Sequence, residues 1–538
     1  MKRLHRLSIL ITSALTATLL PLASGAAADD ASGLVTIADP AAACADLAGA
    51  TISAKQIDLN SKGAAVQSAT LTPADSATGR PEHCTVTAHI SPVDTQAPDI
   101  NVAINLPTEW NSRSMHFGGG GFNGVVVDGL GSVPGSGGGD SPVSPITPIN
   151  RGYVTFGSDS GSAVGTDPAG SFGLNDEALQ NYAGDAVKKT RDTAMAIVKA
   201  YYDQLPAQQF FAGGSKGGHE ALVAAQRYGD DYDGIIAYYP ANQNPALPIS
   251  WHDILQHWNS PGGALNDAEQ ALLYNSVMGV CDGLDGVSDG VIANVSGCNS
   301  AFSVEILRCP DTTDMGDWCL SAAQIKTIQS AATPFLFDYK LANGVTSIGA
   351  YPVLQGAGLD SETIAGYDYF TGGTWPYMVT RDPDLDPATF DYLDWKSRIK
   401  KLSKMYDAVD PNIDKFHKDG GKLLIVQGTT DNLVTPAMTS WYVDRLDERY
   451  GDELPSFARY YLQPGYSHGG GAFNLSWDSL SALESWVLNG SAPLDPVATD
   501  ANPATLGRQM PLCAYPTWPQ YTGGDSTLAT SYTCTTGP

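Results

Sequence analysis

The sequence predicts an α/β fold built on a mostly parallel central sheet. Short apolar segments with the composition of strands alternate with amphipathic helical segments on both sides of a Gly-x-Ser-x-Gly pentapeptide at residues 213–217. Such alternation is typical of parallel sheets, because parallel neighbours are joined by crossover helices. The alternation stops after Pro240 and resumes at Lys422 with another buried strand. We therefore expect one α/β domain that carries a large insertion.

The strands before the pentapeptide are predicted from composition and periodicity. Residues 100–106 alternate in period two, as a half-buried strand does. The predicted set comprises residues 84–88, 100–106, 114–117, 153–156 and 207–212. A long amphipathic helix is predicted at residues 185–202, with Asp185 after Gly184 as its N-cap.

The pentapeptide places Ser215 between the predicted strand at residues 207–212 and a predicted helix at residues 218–227. A strand, a Gly-x-Ser-x-Gly turn and a helix form the nucleophile elbow of the α/β-hydrolase fold. The turn is crowded and therefore needs glycine, and the helix N-terminus supplies partial positive charge beneath the serine. The alternative is a glycine-rich loop, because a chain with 57 glycines contains such pentapeptides by chance. The flanking strand and helix favour the elbow.

A catalytic serine needs a base to accept its proton, and the base needs a carboxylate to orient it. In α/β-hydrolases the chain order is serine, acid, histidine. Asp431 follows the strand predicted at residues 422–428, and His468 lies in a glycine-rich loop after the strand predicted at residues 458–462. Order and placement at strand ends therefore predict Ser215, Asp431 and His468 as the catalytic triad.

Ester hydrolysis also needs two backbone N–H groups that stabilise the negative oxygen of the tetrahedral intermediate. The N–H of Lys216, directly after the nucleophile, is one expected donor. The glycine run at residues 118–121 is expected to supply the other, from Gly120 or Gly121, because glycine lets the backbone approach the substrate. A flexible loop without this role is the alternative.

The charge balance excludes two classes of partner. The 538 residues include 57 acidic and 30 basic side chains, which gives a formal net charge of −27. Such a surface repels phosphate backbones and anionic headgroups. Neither nucleic acid nor a membrane is therefore an expected partner.

The N-terminal residues 1–28 predict export. Lys2, Arg3 and Arg6 precede an apolar stretch at residues 7–22, and small residues that suit cleavage follow it. A membrane anchor is the alternative, but the apolar stretch is short and contains Pro21. We therefore expect a signal peptide and a secreted, extracellular protein.

Eight cysteines, an even number, suit the oxidising environment outside the cell. They are Cys44, Cys84, Cys281, Cys298, Cys309, Cys319, Cys513 and Cys534. The sequence does not fix their connectivity, although pairing of neighbours would close four short or moderate loops. A cysteine-rich metal site is the alternative, but the chain has no Cys-x-x-Cys pair.

Residues 241–395 break the α/β rhythm and are predicted to form a lid domain. They contain four of the cysteines, an acidic glycine-rich loop and many aromatic residues. The flanking segments, residues 29–240 and 396–538, are predicted to form the catalytic domain.

The acidic loop of the predicted lid has the composition of a Ca²⁺ site. Asp282, Asp285 and Asp289 lie among turn-forming glycines, and the carbonyls of Val287 and Val291 are further expected ligands. The loop is not an EF-hand, since its twelfth position holds no glutamate. An acidic turn without metal is the alternative. We expect a structural Ca²⁺ far from the chemistry, and no organic cofactor.

Four motifs are shared with a known family. They are GGSKGGHEALVAAQRYGDDYDG from Gly213, CDGLDGVSDGVI from Cys281, GKLLIVQGTTD from Gly421 and PGYSHGGG from Pro464. By these motifs the chain resembles the tannase and feruloyl esterase family over residues 40–535. The resemblance implies a nucleophilic serine, an orienting aspartate and a basic histidine at the three triad positions. It also implies the calcium loop and a lid over an aromatic-ester pocket.

The sequence departs from that family at two positions. Family members usually have cysteines directly before the serine and directly after the histidine, joined beneath the triad, whereas this chain has Gly214 and Gly469. We expect activity to survive, because the bridge takes no part in proton transfer. The loop that carries His468 is expected to be less rigid. Restoring both cysteines is expected to form a bridge and to slow thermal inactivation.

The combined expectation is a secreted serine carboxylesterase for hydroxycinnamate esters, such as feruloylated fragments of plant polysaccharide. A phenolic acyl group needs a flat apolar slot. Its candidate walls are Trp251, Trp258, Trp375 and Tyr377, with a place in the lid core as the alternative for each. A tannin acyl hydrolase or a terephthalate-monoester hydrolase is the alternative within the class. A non-catalytic, secreted glycan-binding protein on the same scaffold is the alternative outside it.

Overall fold

A ten-stranded sheet forms the centre of the molecule. The computed structural model describes residues 33–136, 145–162 and 169–537, so the predicted signal peptide lies outside the described residues. The strands of the sheet are β1 (Thr51–Ile52), β2 (Ala64–Thr72), β3 (His83–Ile90), β4 (Ile100–Pro107), β5 (Arg113–Phe117), β6 (Val154–Ser158), β7 (Gln208–Gly214), β8 (Gly234–Tyr238), β9 (Lys422–Gly428) and β10 (Ala458–Gln463).

The sheet has a parallel part and an antiparallel part. Its strand order is β10-β9-β8-β7-β5-β6-β4-β3-β2-β1. The six strands from β10 to β6 run parallel. The remaining neighbours pair antiparallel. The five strands predicted before the pentapeptide correspond to β3 to β7, and the predicted α/β fold is confirmed.

Helices lie on both faces of this sheet and in the segment between β8 and β9. They are α1 (Pro40–Ala45), α2 (Asp176–Gln180), α3 (Ala186–Tyr202), α4 (Lys216–Arg227), α5 (Ala246–Trp258), α6 (Asp267–Cys281), α7 (Val295–Ala301), α8 (Ala322–Ala332), α9 (Ser361–Gly373), α10 (Lys396–Tyr406), α11 (Asp414–Lys418), α12 (Pro436–Tyr450) and α13 (Ser479–Asn489). Because successive side chains of a strand point to opposite faces, Phe211 packs with α4 whereas Phe210 packs with α13. Among the helices described, none is long and apolar enough to cross a bilayer.

The start of α3 differs from the prediction. Asp185 has helical angles, with φ −66° and ψ −28°, and its side chain makes no capping hydrogen bond. Helical turns already precede it, because α2 begins at Asp176 and Asn175 caps α2 by accepting the N–H of Ala178 at 3.0 Å. The predicted N-cap at Asp185 is therefore wrong. The helix start that the sequence predicted after Gly184 is instead a local kink within consecutive helical turns, at Gly184, where φ is +138°.

A large insertion separates β8 from β9. It contains helices α5 to α11 and a small sheet of Phe335–Leu336 and Ser347–Ile348. Neither of these described strands joins the central sheet. Trp251 of α5 and Leu222 of α4 belong to one buried apolar cluster, so the insertion and the sheet share a core. The boundaries at residues 241 and 395 stay predictions.

Three further small sheets lie outside the central one. Val35–Thr36 pairs with Glu109–Trp110, Trp518–Tyr521 pairs with Tyr532–Thr535, and the third consists of Leu475–Ser476, Val497–Asp500 and Gln509–Pro511.

The eight cysteines form four disulfides between sequence neighbours. The pairs are Cys44–Cys84, Cys281–Cys298, Cys309–Cys319 and Cys513–Cys534. No cysteine in the described part of the chain is free. The disulfide prediction is confirmed, and the connectivity that the sequence left open is the local one. Each bridge stabilises the fold by about 2–4 kcal/mol, chiefly because it restricts the unfolded chain.

Candidate active site

The backbone at Ser215 is strained as a nucleophile elbow requires. Ser215 has φ +59° and ψ −119° and lies between β7 and α4. Non-glycine residues rarely adopt a positive φ, and they do so mostly where the surrounding structure enforces it. A Cβ on Gly213 would lie 2.3 Å from the carbonyl oxygen of Gly217, and one on Gly218 would lie 2.4 Å from that of Tyr238. The flanking positions therefore accept only glycine.

Asp431 and His468 are hydrogen-bonded partners at the edge of the sheet where Ser215 lies. His468 Nδ1 is 2.9 Å from Asp431 Oδ2. Ser215, Asp431 and His468 each follow the carboxyl end of a parallel strand, namely β7, β9 and β10. Parallel strands end at the same edge of a sheet, so the three residues lie at one edge. With Nδ1 bonded to the carboxylate, Nε2 of His468 is the nitrogen that can accept a proton.

Asp431 is fully buried, and hydrogen bonds fix both of its carboxylate oxygens. Oδ1 accepts the backbone N–H groups of Leu433 at 3.0 Å and Val434 at 2.8 Å. Oδ2 accepts the side-chain amide of Gln427 at 3.0 Å in addition to His468. These donors hold the carboxylate toward the imidazole. Gln427 is not predictable from the sequence, because its role depends on the course of β9 and the turn after it.

The loop that carries His468 is joined to the Asp431 loop by several hydrogen bonds. The N–H and the hydroxyl of Thr430 both donate to the carbonyl of Tyr466, at 3.0 and 2.9 Å. The hydroxyl of Ser467 donates to the carbonyl of Thr430 at 3.0 Å. These bonds limit the backbone freedom that the glycines of this loop indicated. His468 is thus held in place from the side of Asp431.

The ring of Tyr239 fills the space between Gly214 and Gly469. A Cβ on Gly214 would lie 2.7 Å from a carbon of this ring, and one on Gly469 would lie 3.5 Å from its hydroxyl oxygen. The ring centroids of Tyr239 and His468 are 4.6 Å apart. An aromatic contact therefore stands where the family resemblance implied a lost disulfide. No motif in the sequence indicates this role of Tyr239.

The glycine run at residues 118–121 approaches the start of α4, as the oxyanion-hole prediction requires. The N–H of Gly119 already donates a hydrogen bond to Glu220 Oε2 at 2.9 Å. Gly120 and Gly121 remain as sources of the second oxyanion donor. Gly121 lines the same cavity as Ser215 and Lys216. The geometry therefore favours Gly121, with Lys216 as the first donor at the N-terminus of α4.

A small apolar cavity adjoins Ser215. Its volume is about 30 Å³. The lining side chains are mainly apolar or aromatic and include Phe122, Tyr182, Leu247, Trp251, Phe370 and Leu433. Of the four predicted walls, Trp251 lies here, with its ring stacked on Tyr367 at 5.6 Å between centroids.

The other three predicted walls lie elsewhere. Trp375 is completely buried and stacks on Phe390 at 4.1 Å between centroids. Trp258 is half-buried against the core of the insertion, and Tyr377 is buried in the turn Thr374–Val379. None of the three lines the cavity at Ser215. For them the lid-core alternative holds, because apolar surface in the insertion is also buried against its own helices.

A larger polar cleft opens beside His468. Its volume is about 840 Å³. Its polar lining includes the carboxylates of Asp360 and Glu362, the amides of Asn432 and Asn502, and the hydroxyls of Tyr274, Thr363, Thr430 and Ser467. The cavity at Ser215 is thus mainly apolar, whereas the cleft at His468 carries many polar groups.

The carboxylates of the acidic loop have the donor chemistry of a Ca²⁺ site. Burial, together with the charges of Asp289 and Asp282, raises the pKa of Asp285 to about 6. A bound dication would relieve this repulsion. Each carboxylate accepts backbone N–H groups of the loop itself. Across residues 33–136, 145–162 and 169–537, however, no group of three acidic, histidine or cysteine side chains is close enough to hold a metal ion.

The acidic loop lies close to the loop that carries His468, which is called the base loop here because His468 is the predicted base. Arg508 Nη1 donates to the carbonyl of Asp289 at 2.8 Å, and Nη2 donates to that of Ala472 at 3.0 Å. A Cβ on Gly465 would lie 3.1 Å from the side chain of Val291. Gly465 precedes His468 by three residues. The expectation of a site far from the chemistry is therefore corrected: the two loops are in contact.

The sheet, the elbow and the inserted segment define an α/β-hydrolase, and comparison with known proteins identifies the family. The model of the family described as "Tannase and feruloyl esterase" matches residues 84–535, so the chain belongs to this family. Its members and relatives are esterases, and the chain is accordingly a carboxylic ester hydrolase.

Three relatives span most of the chain. An uncharacterized esterase of Agrobacterium fabrum is 36% identical over 529 residues, which cover 91% of this chain and 92% of the relative. A mono(2-hydroxyethyl) terephthalate hydrolase of Piscinibacter sakaiensis is 27% identical and covers 86% of both chains. A probable feruloyl esterase of Arthroderma benhamiae is 28% identical, with 81% of this chain and 82% of the relative covered.

The fold agrees with a solved structure. The crystal structure of feruloyl esterase B from Aspergillus oryzae superposes with a TM-score of 0.74 at 22% sequence identity. The match covers 92% of this chain and 100% of that chain. The predicted architecture, a hydrolase sheet with a large inserted segment, is thereby confirmed.

Proposed function

We propose that the protein is a secreted serine esterase that hydrolyses hydroxycinnamate esters of plant cell-wall material. The observation that carries the proposal is the hydrogen-bonded pair of Asp431 and His468 at the sheet edge where the Ser215 elbow lies. A strained serine turn, an imidazole and a buried carboxylate in this chain order are the parts that nucleophilic acyl transfer requires.

In the acylation step, Ser215 Oγ attacks the ester carbonyl carbon while Nε2 of His468 takes the hydroxyl proton. The carbonyl π electrons move to the oxygen, which becomes the oxyanion. The backbone N–H of Lys216 and that of Gly121 stabilise this charge. Asp431 keeps the imidazole oriented and stabilises it while it carries the extra proton.

The tetrahedral intermediate collapses when the bond between the carbonyl carbon and the alcohol oxygen breaks. His468 returns its proton to that oxygen, and the alcohol leaves. A water molecule then attacks the acyl-enzyme in the same way, with His468 again as base. The products are the carboxylic acid and regenerated Ser215.

The two halves of the site support an aromatic acyl group and a polar alcohol. The cavity at Ser215 is lined by aromatic and apolar side chains, which suit a phenolic ring. The cavity is narrow, with a volume of about 30 Å³, so we expect side chains such as Phe370 or Leu433 to turn aside when a ring binds. The cleft at His468 is wide and rich in hydroxyl, amide and carboxylate groups, which suit a saccharide.

A second candidate substrate is a terephthalate monoester. The observation in its favour is the relative named mono(2-hydroxyethyl) terephthalate hydrolase, which aligns over 86% of this chain. A tannin acyl hydrolase stays an alternative, but a galloyl group carries three hydroxyls that a mainly apolar cavity leaves without partners. The width of the polar cleft favours the saccharide ester over a small glycol ester.

Secretion and calcium belong to the same proposal. The predicted signal peptide at residues 1–28 and the four disulfides support an oxidising, extracellular location. Asp282, Asp285 and Asp289 would hold Ca²⁺ with carbonyls of Val287 and Val291, provided that the three carboxylates move closer together than they lie in this structure. When bound, the ion would neutralise the carboxylates and rigidify the loop, and no step of ester hydrolysis passes through it.

A panel of four esters tests the proposal: methyl ferulate, methyl sinapate, methyl gallate and mono(2-hydroxyethyl) terephthalate. We expect the highest kcat/KM for ferulate or sinapate. A fluorescent phosphonate is expected to label the wild type and not Ser215→Ala. Failure of the wild type to react with the phosphonate or with any ester would favour the non-catalytic glycan-binding alternative.

A further inference from the structure

A buried ion pair lies directly behind the nucleophile. Lys216 Nζ is 2.7 Å from Glu220 Oε1, one turn along α4. The two residues are only 2% and 4% exposed. Charges are costly to bury, so such a pair persists where further hydrogen bonds satisfy it. Although burial acts to raise it, the charge of Lys216 and several hydrogen bonds hold the pKa of Glu220 below its ordinary value.

Glu220 also accepts hydrogen bonds from the loop opposite α4 and from residues beside that loop. Residues 118–121 are called the oxyanion loop here, because Gly120 and Gly121 are the remaining candidates for the second oxyanion donor. Glu220 Oε2 accepts the N–H of Gly119 at 2.9 Å. Glu220 Oε1 accepts the side-chain amide of Asn123 at 2.9 Å, just after the loop, and the hydroxyl of Ser160 at 3.0 Å.

The same ion pair also contacts the far end of the oxyanion loop. Lys216 Nζ lies 4.7 Å from the ring centroid of Tyr182. The hydroxyl of Tyr182 donates to the carbonyl of Gly121 at 3.0 Å. The loop is therefore held at Gly119 through Glu220 and at Gly121 through Tyr182. The first attachment starts from Glu220 of α4, and the second starts from Tyr182, whose ring contacts the Lys216 side chain.

We propose that Glu220 is a positioning residue for ester hydrolysis: it fixes the oxyanion loop at the distance from the Lys216 N–H that binding of the oxyanion requires. The proposal rests on the proposed function of Ser215. Backbone donors stabilise a transition state only when their positions are preset. Two donors on separate segments need a connection, and the carboxylate of Glu220 is a direct one.

Two double variants separate positioning from folding. In Lys216→Met with Glu220→Leu, apolar side chains replace the ion pair, which proteins often tolerate without loss of stability, but the N–H of Gly119 loses its acceptor. In Lys216→Met with Glu220→Gln, the amide oxygen still accepts that N–H. Both variants keep the backbone N–H of residue 216.

The variant with Lys216→Met and Glu220→Leu is called Met/Leu here, and the one with Lys216→Met and Glu220→Gln is called Met/Gln. For the Met/Leu variant we expect kcat about 10- to 100-fold below wild type, because one oxyanion donor is displaced. KM is expected to stay within about threefold, since the ground state gains little from these donors. The inhibition constant of a phenylboronic acid, which forms a tetrahedral adduct with the serine, is expected to rise by the same factor as kcat falls. For the Met/Gln variant we expect kcat within about fivefold of wild type.

A matched control is Asp192→Ala, which removes another buried carboxylate paired at i,i+4 with a lysine, Lys188, at 2.9 Å. Asp192 also accepts a backbone N–H, from Asp58 at 3.1 Å. We expect this variant to lose thermal stability but to keep its kcat and its boronate affinity. A similar loss of kcat in the control would overturn the proposal, because it would attribute the effect to general destabilisation.

Three results contradict the positioning role. They are wild-type kcat in Met/Leu, an equal loss of kcat in Met/Leu and Met/Gln, and a loss of kcat without weaker boronate binding. If the Met/Leu variant does not fold, the comparison of Glu220→Gln with the Met/Gln variant decides. The loss of kcat in Glu220→Gln must become smaller when Lys216→Met is added, because that change frees the amide oxygen for the N–H of Gly119. Phosphonate labelling of the wild type separates this test from the proposed function, which fails only if Ser215 does not react.

Discussion

Introducing cysteines at positions 214 and 469 is the perturbation that best tests the packing around the catalytic base. The family resemblance alone predicts a stabilising bridge, since a new disulfide contributes about 2–4 kcal/mol. The structure changes that expectation. A Cβ on Gly214 would lie 2.7 Å from the ring of Tyr239, which itself packs against His468.

The expected gain is offset by two costs. Gly469 has φ +92°, a conformation that costs a cysteine about 1–2 kcal/mol. The Tyr239 ring must also leave its place, and loss of contacts of a half-buried aromatic side chain costs about 2–3 kcal/mol, below the full burial value. The sum of these costs, about 3–5 kcal/mol, is as large as the gain of about 2–4 kcal/mol or larger over most of the two ranges. We therefore expect the bridged variant to be no more stable than wild type while Tyr239 is present.

Adding Tyr239→Gly to the two cysteines is expected to reverse the outcome. Glycine removes the ring and also accepts the positive φ of +32° at this position. The assay is the thermal inactivation half-life of oxidised and reduced protein, with bridge formation verified by mass. Tyr239→Phe is the matched control, because it retains the ring contact with His468. The reasoning is refuted if the oxidised double-cysteine variant with Tyr239 intact outlasts its reduced form several-fold.

The other predictions concern the acid, the calcium loop and a buried carboxyl. Asp431→Asn is expected to lower kcat by about 10⁴-fold with little change in KM, because the imidazole loses its orienting charge; steady-state kinetics on methyl ferulate measure both. Chelation of Ca²⁺ is expected to lower Tm more than it lowers turnover at moderate temperature. The contact of Val291 with Gly465 predicts that some turnover is nevertheless lost, and identical melting curves with and without chelator would count against a bound ion. Burial raises the pKa of Asp407 well above its ordinary value, so this carboxyl ionises at a lower pH in the unfolded chain than in the folded protein. The free energy of unfolding therefore falls as pH rises above about 4. Asp407→Asn is accordingly expected to raise Tm more at pH 8 than at pH 4, measured by calorimetry.

The sequence predicted the sheet and the triad positions because both depend on local signals. Each parallel strand is a short apolar run, and each triad residue directly follows one of them, so chain order and strand ends identify Ser215, Asp431 and His468. Neighbour pairing of the cysteines is local as well. These features need no knowledge of which distant segments meet.

Features that depend on distant segments were missed or misplaced. Tyr239 and Glu220 act through contacts with other loops, and no spacing in the chain indicates those contacts. Gln427 contacts Asp431 in the turn after its own strand, but that contact depends on the course of the turn. The walls of the cavity were misplaced for a related reason: an aromatic residue in the insertion packs into its interior or faces the nucleophile according to tertiary packing. Trp251 lies at the cavity, where its ring stacks on Tyr367, whereas Trp375 is buried against Phe390. The sequence around the two residues does not distinguish these positions.

The hydrogen bonds around Asp431 explain how the base keeps its place without a covalent link to the elbow. Asp431 is fully buried and receives two backbone N–H groups and the amide of Gln427, so its position is set by the turn after β9. The Thr430–Tyr466 hydrogen bonds then fix the base loop to that turn. A bridge between positions 214 and 469 would constrain the same loop from the opposite side. Because the acid side already constrains it and Tyr239 fills the remaining gap, glycine at both positions is compatible with an ordered triad.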